Sequence, residues 1–470
     1  MNLPADFIKS INLLLDTEVD NFLDALNENA PVSVRLNPFK NKRNPKQFLS
    51  PVEQVLWSEN GFYLKDRPSF TFDPLFHSGY YYVQEASSMF IEHVVKQLIH
   101  YPVNCLDLCA APGGKSTGLL STLPEGSLLV SNEIIRQRAN ILSETMVKFG
   151  HPNSVVTNNN PKEFAALPHF FDLILVDAPC SGEGMFRKDE VAVNEWSADN
   201  VRMCAARQKN ILSDVWYSLK PGGFLVFSTC TYNISENENN ALWASRELGA
   251  EFIGVEVDTE WDITDSVDEK VKAYRFFPHK TKGEGLFLTV IRKNDANTLP
   301  NQSIVSHKNT KKNRKTPATF IKNSLNYEGL LNNSKDYDYL EYENSIVALP
   351  KAHTNTILSL KEKLKVVSMG IELGEIKGSN FIPSHALAMS NSLNMRAFTV
   401  FELSFKDAIS FLRSESITIQ DAPKGIVLLT YKNEPIGFVK NIGNRANNLY
   451  PNEWRIRSGY MPQEPVFVFE

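Results

Sequence analysis

LDLCAAPGGKS, residues 106–116, is an apolar strand running without pause into a turn of small residues and two adjacent glycines. Small side chains and glycines let the backbone approach a ligand closely at the start of a helix, where free N–H groups face outward. The turn therefore reads as a cofactor site lined by Cys109, Ala110, Ala111, Pro112, Gly113, Gly114 and Lys115. It is not the GxGxxG dinucleotide fingerprint. The phosphate-binding pattern GxxxxGK[ST] would need glycine at position 109, where this chain has Cys109.

Outward from this turn, apolar runs at 105–109, 127–132, 154–157, 172–177, 224–228 and 286–291 alternate with helical stretches. That alternation predicts an α/β core over 101–293 with a mostly parallel sheet covered on both faces. Ligands of such sheets bind at the carboxyl ends of the strands. Glu133 follows the second strand and is placed to grip ribose hydroxyls. Asn158, Asn159 and Asn160 follow the third, suited to the edge of a base. The fourth strand delivers Asp177 and Cys180, and the fifth delivers Cys230, so two cysteines in polar loops converge on one crevice.

Around the core, Phe7, Ile11, Leu14 and Leu15 recur at helical spacing and 32–36 alternates like a strand, so 1–100 reads as a small α+β lobe. Residues 294–318 are polar and include Lys308, Lys311, Lys312, Arg314 and Lys315, a linker whose cations are able to meet a phosphate backbone. Residues 319–420 form an intermediate domain whose architecture stays open. Residues 421–470 form a β-rich module, with runs at 425–431 and 435–439 separated by the polar turn Lys432-Asn433-Glu434.

The net charge of -5 argues weakly against a nucleic-acid partner, although a sum over the chain does not report a local basic face. No apolar run approaches the ~20 residues of a membrane span. Asp6 and Lys9 interrupt the N-terminal stretch, which does not read as a secretory signal, so a cytoplasmic protein is expected. The five cysteines include no CxxC pair and no zinc spacing, so neither disulfides nor a metal are expected. Oligomeric state is left open, with a monomer favoured.

Taken together these motifs resemble the Nop/Sun family of RNA cytosine-C5 methyltransferases, most of all its bacterial RsmF-type branch acting on small-subunit (16S) ribosomal RNA. LDLCAAPGGK (106–115) is similar to the family's S-adenosyl-L-methionine (AdoMet) loop, DAPCSGEG (177–184) to its second-cysteine motif and STCT (228–231) to its nucleophile motif, with ENE (236–238) following. VRLNPFK (34–40), QEASSM (84–89) and RFFPHKTKGEGLF (275–287) extend the likeness over 30–293. GIVLLTYKNEPIGFVKNIGNR (425–445) is similar to the PUA-like RNA-binding end of that branch. Where family members carry an aspartate contacting the adenine amino group, this chain has Asn160, whose amide oxygen still accepts.

The resemblance implies a Rossmann-like AdoMet-dependent core, a substrate in ribosomal RNA, Cys230 as the nucleophile and Cys180 as the group that lets product go. A thiol suits the reaction because C5 of cytosine is a weak nucleophile until a thiolate adds at C6 and makes an enamine. Asp177 is placed for the N3/N4 edge of the base, and Lys115 for orienting it and holding a thiolate charged. Two rivals are a transfer-RNA methyltransferase and an inactive RNA-binding assembly factor. Retention of both cysteines, Asp177 and the glycine turn opposes the second.

Overall fold

The structure is a computed structural model that describes residues 1–294, 319–321, 325–342, 344–378, 380–419, 422–460, 462 and 464–470; the basic run 308–315 lies outside them. Its centre is a ten-stranded sheet built from β1 (Asn104–Asp107), β2 (Leu128–Asn132), β3 (Ser154–Thr157), β4 (Phe171–Asp177), β5 (Leu219–Thr229), β6 (Ala250–Ile253), β7 (Thr264–Asp265), β8 (Ala273–Phe276), β9 (Leu286–Lys293) and β10 (Val366–Met369). The order is β7-β8-β9-β5-β4-β1-β2-β3-β10, with β6 also paired to β9. Strands β1 to β5 run parallel. The partners β9 and β10 run antiparallel to β5 and β3.

Side chains alternate across each strand, and both faces are buried. On one face Leu106, Val130, Ile174, Val176, Leu225 and Phe227 pack with Ile211, Leu212 and Val215 of α3 (Ala198–Trp216) and Ala241 and Ala244 of α4 (Glu238–Glu247). On the other, Cys105, Leu129, Leu173, Leu175 and Val226 meet Leu119 of α1 (Gly114–Thr122), Leu142 and Met146 of α2 (Arg136–Phe149), and Ile91 and Val94 of helix Phe90–Leu98. Helix α3 starts where the Ser197 side chain accepts the Asn200 N–H at 3.1 Å, and α2 stops at Gly150, whose φ of 81° few other residues tolerate. The strand order reverses between β1 and β4, which opens a crevice at their carboxyl ends.

The first hundred residues divide among three cores, with Val55, Trp57 and helix Phe90–Leu98 joining the central sheet. Helices Ala5–Leu15 and Val19–Asn27 turn Phe7, Ile11, Val19, Phe22 and Leu26 onto Phe186, Trp196, Tyr232 and Phe277, which flank the two cysteine loops. The four-stranded antiparallel sheet of Glu53–Gln54, Gly61–Leu64, Val32–Leu36 and Tyr81–Val83 instead shares a core with the C-terminal module, where Val34 and Leu36 join Phe411, Val427 and Phe469. Phe22 is fully buried, 5.0 Å edge-on from Tyr232. Phe22→Ala should therefore lower unfolding stability by about 3–5 kcal/mol, checked by denaturant titration.

The stretch left open by sequence holds a five-stranded sheet, Thr319–Phe320, Tyr337–Tyr342, Ser345–Pro350, Ile371–Lys377 and Asn380–Pro383, and contributes β10 to the central sheet. The terminal sheet takes in Thr399–Glu402, upstream of residue 421, laid parallel to Gly425–Tyr431. Gly425–Tyr431 then hairpins into Glu434–Asn441 through Lys432 and Asn433, both at positive φ. Two consecutive positive φ angles match the right-handed twist of a hairpin. No helix among the described residues is long and apolar enough to cross a membrane.

Candidate active site

The glycine turn is tied down from three sides. Leu108 N–H donates to Leu175 O at 2.9 Å, Ala110 N–H to Asn132 O at 2.8 Å, and Arg138 Nη2 to Ala111 O at 2.8 Å. Gly113 has φ 113°, and a Cβ there would lie 2.8 Å from Thr145 Cγ2, so backbone conformation and packing both require glycine. Beneath the turn, Ser116 Oγ donates to Asp107 Oδ2 at 2.6 Å, and burial pushes the Asp107 carboxyl up to about 7. Cys109 is half-buried, and burial pushes its thiol up as well. It lines the turn rather than reacting.

Glu133 sits at the carboxyl end of β2, its side chain almost fully buried. Oε1 accepts the Ile135 N–H at 2.9 Å and Oε2 lies 3.5 Å from Arg138 Nη1. The turn and this carboxylate fit an AdoMet nucleoside: small residues allow close approach, and a fixed acid accepts ribose hydroxyls. Arg138 ties the two together, a role sequence reading missed because one cation in an exposed helix carries no signal of its own. Asn160 is the N-cap of the turn Pro161–Ala166, its Oδ1 accepting the Lys162 N–H at 3.2 Å while Glu163 takes the Asn160 N–H at 2.7 Å. An adenine amino group would share that oxygen.

Across the switch point the two cysteine loops meet. Cys180 Sγ and Cys230 Sγ are 3.2 Å apart. Lys115 Nζ donates to Asp177 Oδ2 at 2.8 Å, and Ser228 Oγ donates to Oδ1 at 2.8 Å, so Asp177 is held at both oxygens. Ser228 also escaped sequence reading, although it directly precedes the Thr229-Cys230 pair. The hydrogen bond to Cys230, then burial, raise the Cys180 thiol well above its ordinary value. Burial works to lower Lys115, but the Asp177 carboxylate and the Cys230 sulfur outweigh it and hold the ammonium above its usual range. Contact and burial thus favour the protonated form of Cys180, and the Lys115 ammonium lies within electrostatic reach of the Cys230 sulfur.

The cysteine loops are zipped through their backbones, Ala178 N–H to Ser228 O at 2.8 Å and Gly184 N–H to Cys230 O at 2.9 Å. A Cβ on Gly184 would stand 2.8 Å from Gly285 O and 3.0 Å from Cys230 O, which explains the glycine. Among the described residues no group of three or more His, Cys, Asp or Glu side chains is placed to hold a metal ion.

A mostly parallel sheet of this order, with a glycine turn and two cysteine loops at its switch point, is a Rossmann-like methyltransferase core. Residues 101–292 match the 16S rRNA methyltransferase RsmB/F family, 3–86 the N-terminal domain of 16S rRNA methyltransferase RsmF, 319–390 its first C-terminal domain and 398–456 its PUA domain. The chain is 31% identical over 460 residues to ribosomal RNA small subunit methyltransferase F of Citrobacter koseri, and 30% identical over 458 residues to that of Salmonella agona, covering 92% of each chain in both cases. It is similar to the solved structure of a methyltransferase homolog protein from Pyrococcus horikoshii, 27% identical, at a TM-score of 0.52 over 61% of this chain and 94% of that one. NSun6 from Pyrococcus horikoshii shares the fold at 18% identity and a TM-score of 0.51, over 62% of this chain and 98% of that one. The chain belongs to the 16S rRNA methyltransferase RsmB/F family and is an AdoMet-dependent RNA methyltransferase.

Proposed function

We propose that this chain methylates C5 of a cytosine in 16S ribosomal RNA of the small subunit, in the cytoplasm, through a transient bond between Cys230 Sγ and C6 of the base. The observation that carries the reading is the thiol pair, with Cys180 and Cys230 Sγ 3.2 Å apart, beside the Lys115–Asp177 ion pair. Bound AdoMet supplies an electrophilic methyl group. The chain holds it with the turn Cys109–Lys115, Glu133 on the ribose, and Asn160 and Asp177 as further contacts.

The target cytosine must leave its stack to enter the crevice. Cys230 attacks C6 as the thiolate, favoured by the neighbouring Lys115 ammonium. N3 takes a proton as electron density moves to the ring; Asp177 faces that edge and relays a proton drawn from Lys115 Nζ, 2.8 Å from its Oδ2. C5 is now the nucleophilic end of an enamine and accepts the methyl group. Once Cys230 has become a thioether it no longer shares a hydrogen with Cys180, which gives its own proton to water and is then free to act as a base. Cys180 takes the proton from C5, the C6–S bond breaks, N3 gives its proton back, and Cys230 leaves as a thiolate.

The test is substrate competition with methyl-labelled AdoMet between small subunits purified from cells lacking the enzyme and free transfer RNA. Label is expected in 16S RNA as 5-methylcytidine, and label confined to transfer RNA contradicts the substrate. A second expectation concerns Glu133→Ala, which removes a charged acceptor worth about 1.5–3 kcal/mol. AdoMet binding measured by calorimetry should weaken about ten- to a hundredfold, whereas unchanged affinity removes Glu133 from the cofactor site.

A further inference from the structure

Three glutamates flanking the cysteines are fully buried, Glu183 in the Cys180 loop and Glu236 and Glu238 after Cys230. Burying a carboxylate is costly unless its oxygens are hydrogen-bonded, so their partners matter. Glu238 pairs with Arg275, whose Nη1 holds Tyr232 O at 2.7 Å. The other two cross over. Glu183, on the Cys180 loop, accepts the backbone N–H groups of Tyr232 at 2.8 Å and Asn233 at 3.0 Å, both just beyond Cys230. Glu236, on the Cys230 loop, accepts the Ser181 N–H at 3.0 Å, just beyond Cys180, together with Gln208 Nε2 at 2.7 Å. The Asn233 carboxamide lies between them, 3.0 Å from Glu183 Oε1 and 2.8 Å from Glu236 Oε1.

We propose that Glu183 and Glu236 form a reciprocal brace, joined by Asn233, that positions the two catalytic sulfurs against each other. Each loop's carboxylate holds the backbone just after the other loop's cysteine, so neither loop can shift its cysteine backbone without breaking bonds made by its partner. A hydrogen bond between sulfurs is weak and would not by itself fix their separation. Burial raises the Glu236 carboxyl, and its charge adds to the effects keeping Cys180 protonated. The polar atoms of these three side chains are engaged with one another and with the two loops, so they are positioning residues. The proposal rests on the cysteine mechanism above for its effect on turnover, but not for its effect on sulfur geometry.

The test separates those two. In Glu183→Gln one end of the amide becomes a donor facing the donors of Tyr232 and Asn233 or of Trp196, so the crossing opens on that side. Asn233→Ala removes the link and serves if Glu183→Gln does not fold. Both variants and the wild type are treated with dilute hydrogen peroxide, one peroxide converting the two thiols to a disulfide and two waters, and the Cys180–Cys230 linkage is timed by peptide mass spectrometry. Disulfide formation is expected to slow at least about tenfold and kcat to fall about 10- to 100-fold, as for a misplacement near 1 Å, with KM for AdoMet and RNA within about threefold. A folded variant with the wild-type disulfide rate overturns the proposal, whatever its kcat. If the wild type makes no 5-methylcytidine while the variants still slow the disulfide, the brace stands and the reaction assigned above falls.

Discussion

Cys230→Ala should bind AdoMet as the wild type does and lose methyl transfer by about four orders of magnitude or more, equivalent to about 5 kcal/mol of activation free energy. The size of the loss follows from the chemistry. C5 becomes a usable nucleophile only while C6 carries the thiolate, and in the reading above that thiolate comes from Cys230 alone. The cofactor turn and Glu133 lie across the crevice on other strands, so affinity for AdoMet is a built-in control for folding. Near-normal turnover in this variant, measured as 5-methylcytidine by nucleoside mass spectrometry, would reject Cys230 as the nucleophile.

Cys180→Ala should do the opposite to the covalent intermediate. Attack at C6 and methylation at C5 need Cys230, Lys115 and Asp177, all intact, whereas loss of the C5 proton lacks its base. A protein band covalently joined to RNA is expected on denaturing gels, rising to a large fraction of the enzyme and clearing at least about a hundredfold more slowly than in the wild type. An adduct accumulating instead in Cys230→Ala would mean the roles are exchanged.

Much of this molecule was legible in the sequence because the central strands are short apolar runs that stop where a polar loop begins. The glycine turn, Glu133, Asp177, Cys180 and Cys230 all lie at those stops, and the parallel order places the stops along one edge. What escaped depended on distant partners. Strand β10 pairs with β3 from some two hundred residues further along the chain, and its register comes from packing rather than from local pattern. Strand β8 carries Arg275 in its interior, which reads as polar until its partner Glu238 is known. The terminal sheet recruits Thr399–Glu402 by a parallel pairing, which needs an intervening connection and leaves no hairpin signal. The Glu183 and Glu236 crossing was invisible for a related reason: a glutamate in a loop reads as solvated until the backbone N–H groups it caps are brought to it.

The measurement that bears most directly on the central claim is the site of attachment in a stalled adduct. RNA carrying 5-fluorocytidine at the target, incubated with the wild-type protein and AdoMet, should be attacked and methylated but not released, since the C5 substituent that must leave as a proton is now fluorine. After digestion, mass spectrometry should place the nucleotide on the peptide containing Cys230. Attachment at Cys180, or methylated RNA with no attachment at any cysteine, would contradict the account.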